Sequence, residues 1–153
     1  MAKHKKISGL ADHIGYWMRQ VSNHVSYSFA RRLESKGVTT AEWVLLRVLY
    51  DAGALPPSQI ARQMGMTRGA ISKLADRLIG KDMLVRAENP GDKRAHTLSL
   101  TGQGRRLVPN LAKIADENDE NFFRDLTAAE RSQMKAMLKK IVERRDLREV
   151  PVD

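Results

Sequence analysis

The chain has 153 residues, 42% of them apolar, which suits one compact domain or one domain with an extended helical appendage. It contains no cysteine, so a disulfide framework, a thiolate metal site and thiol-based redox sensing are excluded, and an intracellular protein is expected. The formal net charge is +9, with +5 on residues 1–36 and +4 on residues 56–100, so a polyanion such as nucleic acid is the partner this surface attracts.

Lys3, Lys5 and Lys6 open the chain, but Asp12 and His13 interrupt the next stretch before it could serve as a signal-peptide apolar region. No apolar run approaches the length of a membrane span, and a cytoplasmic protein with no membrane partner is expected. Helical periodicity begins near Ser8: Leu10, Ile14, Trp17, Met18, Val21, Val25, Phe29 and Leu33 recur at three- and four-residue steps. They predict one long amphipathic helix ended by a left-handed Gly37, too long to cover only its own domain. Thr39 with Glu42 forms a capping box, opening a second helix with Trp43, Leu46 and Leu49 inward until Asp51-Ala52-Gly53.

Pro57 suits the first position of a short third helix, whose inner face is Ile60, Ala61 and Met64 and whose end is Gly65. Thr67 caps a fourth helix running to about Lys81, with Ile71, Leu74, Ala75 and Leu78 on one side. Two short helices joined by a tight glycine-containing turn make a helix-turn-helix. The period then changes: residues 84–88 and 97–100 read as strands joined by a type II turn over Asn89-Pro90-Gly91-Asp92, a hairpin wing. Thr101 caps a fifth helix carrying Leu107, Leu111, Ile114 and Phe122, which Pro109 should kink. Thr127 and Glu130 box the start of a sixth, with Met134, Met137, Leu138 and Ile141 on one face. The fold expected is mainly α with a small β-hairpin wing. Residues 37–100 form a winged helix-turn-helix, and residues 1–36 and 101–153 form a helical dimerisation region.

With Ile71 and Leu78 inward, the fourth helix turns Gly69, Lys73 and Asp76 outward, flanked by Arg68, Ser72 and Arg77. Lys73 can donate to guanine O6 or N7, Ser72 can pair with several bases, and Gly69 lets the helix N-terminus approach closely. Arg68 and Arg77 suit phosphates, which fix position and not sequence. Asp76 can accept from cytosine N4 or orient a neighbouring basic side chain. The second role is preferred, because an unpaired carboxylate beside phosphates is costly. Any surface helix carries a charged outer face for solubility. What favours DNA is the adjoining hairpin, whose tip carries Lys93 and Arg94, since an arginine on a ribbon can enter a narrow minor groove.

Asp92-Lys93-Arg94-Ala95-His96-Thr97-Leu98-Ser99-Leu100-Thr101 fits the pattern D-x-R-x-x-x-L-x-L-T at every fixed position. In this run, and in Thr39 with Trp43, Gln59-Ile60-Ala61, Leu78, Arg86, Gly104 and residues 126–130, the chain resembles the MarR family of winged-helix repressors. The resemblance implies that Arg94 is the minor-groove arginine, that Asp92 supports the wing tip, and that the terminal helices of two subunits interlock in a homodimer. It also implies a small aromatic or phenolic effector, for which His13, Tyr16, Trp17 and Gln20 on one face of the first helix are the candidate contacts. Three positions depart from the family pattern: Asp82 replaces a usual glycine, Pro56 a usual Ser/Thr cap, and Gly80 lies inside the last turn of the fourth helix.

No cofactor, metal or catalytic role is expected. His4, His13, His24 and His96 lack ligand spacing, and no nucleophile elbow, phosphate-binding glycine loop or paired carboxylate motif occurs. Asp116, Glu117, Asp119 and Glu120 read as solvated charge. The function expected is a sequence-specific regulator of transcription bound to double-stranded DNA. A nonspecific architectural DNA binder and a basic protein-interaction module are the alternatives.

Overall fold

The structure, a computed structural model, describes residues 6–89 and 91–147, without the side chains of Asn89, Lys93 and Arg94. After a 3-10 turn at Leu10–Asp12 come α1 (Ile14–Glu34), α2 (Thr40–Ala52), β1 (Ala54–Leu55), α3 (Pro57–Met64) and α4 (Arg68–Gly80). The hairpin β2 (Leu84–Asn89) and β3 (Asp92–Leu100) is next, then α5 (Gly102–Phe122) and α6 (Ala128–Arg144).

The first helix is divided where the sequence predicts continuity. Asp12 Oδ2 accepts from the Gly9 N–H at 2.8 Å, His13 is extended (φ −100, ψ 129), and α1 starts only at Ile14. A carboxylate bonding a nearby backbone N–H offers the chain an alternative to the helical ladder. At the other end Gly37 takes φ +68, and the Val38 N–H donates to the Leu33 carbonyl at 3.3 Å, closing the helix as expected.

The boxes at α2 and α6 are complete, with Thr39 Oγ1 accepting from Glu42 N and Thr127 Oγ1 from Glu130 N, each carboxylate reaching back. Pro57 occupies the first turn of α3, and Gly65 ends it at φ +64. Pro56 caps α3 with no side-chain bond, and Asp82 holds the left-handed φ of +58 that its position demands. Both reflect the departures seen in the sequence. α5 runs on through Pro109, where the ring leaves the Arg105 carbonyl without its helical donor.

The sheet is larger than the expected strand pair. Three antiparallel strands lie in the order β1-β3-β2, with Leu55 opposite Leu98 and Leu84 opposite Leu100. β1 is two residues long, too short to show a period. β3 starts at Asp92 and not at Thr97, because its polar first half is strand by backbone pairing alone and carries no apolar alternation. A register shift at Glu88/Asn89 precedes the tip, where Asn89 pairs with Asp92. The type II turn expected there includes Pro90, which lies outside the described residues.

One apolar cluster organises the chain. Leu45, Leu46 and Leu49 of α2, Ile60 of α3, Ile71 and Leu78 of α4 and Leu98 of β3 are fully buried together with Leu33 of α1 and Leu111 of α5. Trp43, expected inward, packs half-buried at its edge, with the Phe29 ring edge-on at 6.4 Å. α6 buries no residue at all, and much of the apolar stripe of α1 faces outward, with Ile14 78% exposed.

Two helical glycines separate packing from propensity. A Cβ on Gly104 would lie 2.2 Å from the Met83 carbonyl oxygen, whereas one on Gly80 meets nothing within 4 Å. Gly104→Ala should therefore cost about 2 kcal/mol or more by forcing α5 off the α4–β2 turn. Gly80→Ala should gain about 0.5–1 kcal/mol. Urea unfolding at one fixed protein concentration measures both, and equal effects of the two substitutions would refute the close approach.

Candidate nucleic-acid interface

α4 is held to the protein along one side. Ile71, Leu74, Ala75 and Leu78 are buried, a spacing that puts one side chain on the inner face every turn. The opposite side is open: Arg68, Gly69, Ser72, Lys73, Asp76 and Arg77 are all exposed. Thr67 fixes the start of the helix, its Oγ1 accepting from the Ala70 N–H at 3.1 Å. The predicted DNA-facing side chains of this helix thus share a single solvent-facing surface. Lys73 and Arg77 also border a shallow groove that α4 makes with Thr39 and Ala41 at the start of α2.

Asp76 does not stand alone on that surface. Arg86 reaches across from β2, its Nη2 3.1 Å from Asp76 Oδ1. Both partners are well exposed, so the pair adds at most about 1 kcal/mol to stability. Its consequence is electrostatic and geometric: the carboxylate is balanced where polyanions would approach, and the first wing strand is tied to the helix. This matches the preferred expectation for Asp76.

β2 and β3 extend as a ribbon beyond the core, ending at Asp92, which is exposed. The side chains of Lys93 and Arg94, expected at its tip, lie outside the described residues. The ribbon root is fixed by Leu84 and Leu98, both buried.

The face expected to take a small ligand is less coherent than the sequence suggests. His13 lies outside α1, so only Tyr16, Trp17 and Gln20 remain on the helix. Trp17 is largely exposed and its indole Nε1–H donates to the Ala11 carbonyl at 2.9 Å, with the Tyr16 ring edge-on at 5.4 Å. A groove of about 790 Å³ lies elsewhere, between α1, the end of α5 and α6, lined by Val25, Phe123 and Leu138 among others.

Two buried polar side chains are not evident from the sequence. Glu42 is 1% exposed and, besides its capping bond, accepts from Lys81 Nζ at 2.8 Å. Asn118 is 5% exposed. It accepts from Ser28 Oγ at 2.7 Å and donates to the Val25 carbonyl at 3.3 Å, fastening α5 to α1. Its spacing of four from Ile114 and seven from Leu111 marks it as inward-facing, a signal obscured by the acidic residues on either side. Those acids are all exposed, and among the described residues no three His, Asp or Glu side chains converge as metal ligands. Nor is any described helix long and apolar enough to cross a membrane.

Residues 36–95, from the end of the α1 cap to the middle of β3, match the model of the MarR family. The chain is 27% identical over 133 residues to the putative transcriptional regulatory protein for the hcr operon of Thauera aromatica, covering 86% of this chain and 80% of that one. Among solved structures, the MepR–DNA complex of S. aureus superposes with a TM-score of 0.75 at 28% identity, covering 86% of this chain and 97% of MepR. The chain thus carries a MarR-family segment over residues 36–95 and shares the winged-helix fold of the MepR structure. The HTH-type transcriptional repressor MdtR of Bacillus subtilis is 39% identical over 72 residues, 47% of this chain and 46% of the repressor. The MarR-family match includes α3, α4 and the start of the wing ribbon and stops short of α5 and α6.

Proposed function

We propose that this chain is a transcription regulator that binds double-stranded DNA in a sequence-specific manner, as a homodimeric repressor on a pseudo-palindromic operator in the cytoplasm. It acts by binding and not by catalysis. The observation that carries the proposal is the two-sidedness of α4: four apolar side chains fix it from behind, and Arg68, Ser72, Lys73 and Arg77 share its open face. A helix so mounted fits a major groove, with Gly69 allowing close approach, Ser72 and Lys73 reaching base edges, and Arg68 and Arg77 meeting phosphates. Lys93 and Arg94 are assigned to the adjacent minor groove, with Asp92 holding the tip. The naming of MdtR as a repressor and the DNA held by MepR support the same role.

Residues 37–100 are the DNA-binding region, and residues 1–36 and 101–153 are the dimerisation region. The exposed apolar side chains of the terminal segments, Leu10, Ile14, Met137 and Ile141 among them, are the surface a second copy covers. A two-fold pair sets its recognition helices about 34 Å apart, one turn of the duplex.

Four experiments test this. Duplexes selected from a random pool near physiological salt should converge on an inverted repeat bound at least about 10³-fold more tightly than random sequence. Tight binding without enrichment would instead mean an architectural DNA protein, and absence of binding a protein-interaction module. On the selected site Arg94→Ala should cost about 1–3 kcal/mol, and Lys73→Ala should relax one position per half-site. Parental affinity and selectivity in both would refute the groove assignments. Light scattering at micromolar concentration should give twice the 17.3 kDa of one chain, and a monomeric mass would refute the dimer. The proposal includes a small aromatic acid as effector, taken up near His13, Tyr16, Trp17 and Gln20. A panel of phenolic acids should then contain one that lowers operator affinity, and unchanged affinity and melting temperature across the panel would remove the effector alone.

A further inference from the structure

Lys81 comes directly after the last residue of α4, one turn beyond Arg77, where a cation on a DNA-facing helix suggests one more phosphate ligand. The structure commits it elsewhere. Its Nζ donates to Glu42 Oε2 at 2.8 Å and to the Gly37 carbonyl at 2.8 Å. Glu42 belongs to the first turn of α2, and Gly37 to the left-handed cap of α1. One ammonium group therefore gathers the end of α1, the beginning of α2 and the end of α4. Glu42 is almost wholly buried, and the same Oε2 accepts from the Thr39 N–H at 3.3 Å.

We propose that Glu42 and Lys81 are positioning residues for DNA recognition: the pair, a buried carboxylate held by an ammonium at the surface, fixes the C-terminal end of α4, and with it the angle at which the exposed face of that helix meets the groove. The inference rests on the operator-binding function proposed above. Its physical basis is the asymmetry of buried charge. Desolvating a carboxylate is costly, and the attraction to one ammonium recovers that cost only at a short distance and a defined orientation. An apolar pair could fill the same space with comparable stability, but it would let the helix end slide. The charged pair does not, because moving Lys81 away leaves Glu42 buried without its counterion. Thr67 fixes the opposite end of α4, so the two ends of the helix are held by polar bonds and its middle by apolar contacts. Small tilts matter for direct readout, since hydrogen bonds to base edges weaken steeply with misalignment.

The test uses the full chain with Glu42→Gln, Lys81→Met, the double variant and Lys81→Arg. Amide hydrogen exchange is read over residues 77–81 without DNA, and the affinity ratio of selected to random duplex is measured after normalising for active protein. Each single variant should speed exchange in that turn at least tenfold and lower the affinity ratio at least tenfold. Lys81→Arg, which keeps a donor for Glu42, should restore both to within threefold. The double variant should recover the melting temperature that Lys81→Met loses, since no buried carboxylate is left without its counterion, and yet keep the low affinity ratio, a result that a merely structural pair would not give. Parental exchange in the single variants, or a parental affinity ratio in the double variant, overturns the proposal. A parent that prefers no sequence overturns the operator function instead, and the exchange rates then decide by themselves whether the pair holds the helix end.

Discussion

A helix that must leave one whole face free for a partner has to be held from the other. For α4 this constraint is met by Ile71, Leu74, Ala75 and Leu78, whose burial against α2, α3 and the root of the wing seats the helix. Each large apolar side chain fully buried in this way contributes about 1.5–3 kcal/mol, which exceeds anything the exposed ion pairs supply. The open face is therefore free to carry charge and small residues without regard to stability. Arg68, Gly69, Ser72 and Lys73 need contribute nothing to the fold, and Gly69 has open space around its Cβ position.

The end of α4 is where the two parts of the molecule meet. Lys81 reaches Glu42 and Gly37 on one side. On the other, the Thr101 N–H donates to the Met83 carbonyl at 3.0 Å, the Thr101 hydroxyl donates to the Asp82 carbonyl, and Gly104 lies flat against Met83. The first turn of α5 is thus built onto Asp82 and Met83, which directly follow the end of α4. α5 in turn is fastened to α1 through Asn118, Ser28 and Val25. A rotation of α5 cannot leave Asp82 and Met83 in place, because no side chain of adjustable length separates Gly104 from the Met83 backbone. Leu33 of α1 and Val108 and Leu111 of α5 share the core of the winged helix, so residues 1–36 and 101–153 are joined to residues 37–100 through one continuous core.

What the sequence makes legible is what depends on neighbours within a turn or two. Thr39, Thr67, Thr101 and Thr127 each act as the cap their spacing suggests, and the inner faces of α2, α3 and α4 arise from the 3.6-residue period. What stays hidden has one of two causes. Some features are too short for any period, as with the two residues of β1, or too local, as with the Asp12 bond that stops α1 short of His13. Others join residues far apart in the chain. Glu42 serves its capping box whether or not Lys81 is near, so the sequence marks it as a cap and conceals its burial. Asp76 shows the opposite case: a carboxylate on a surface otherwise rich in basic side chains points to a basic neighbour, which proves to be Arg86.

α6 poses a stability problem that the single chain does not solve. It has a complete capping box and an apolar stripe, but none of its residues is buried, and Met137, Ile141 and Val142 stand about half exposed. Seventeen residues lie near the length at which isolated helices are only marginally stable in water. The capping box adds about 1 kcal/mol, too little to offset nucleation and the ordering of the chain. Helices of this length owe their stability to a packed face, and the packing that α6 lacks within its own chain has to come from outside it. The exposed stripe of α1, from Ile14 to Val21, has the same deficit and the same character. Two surfaces with one need, at the two ends of a chain whose middle is already satisfied, are answered together when a second copy supplies both. In the proposed dimer the formation of α6 and the association of subunits would be a single equilibrium, with the spacing between the two α4 helices set by the same contacts that let the last helix exist.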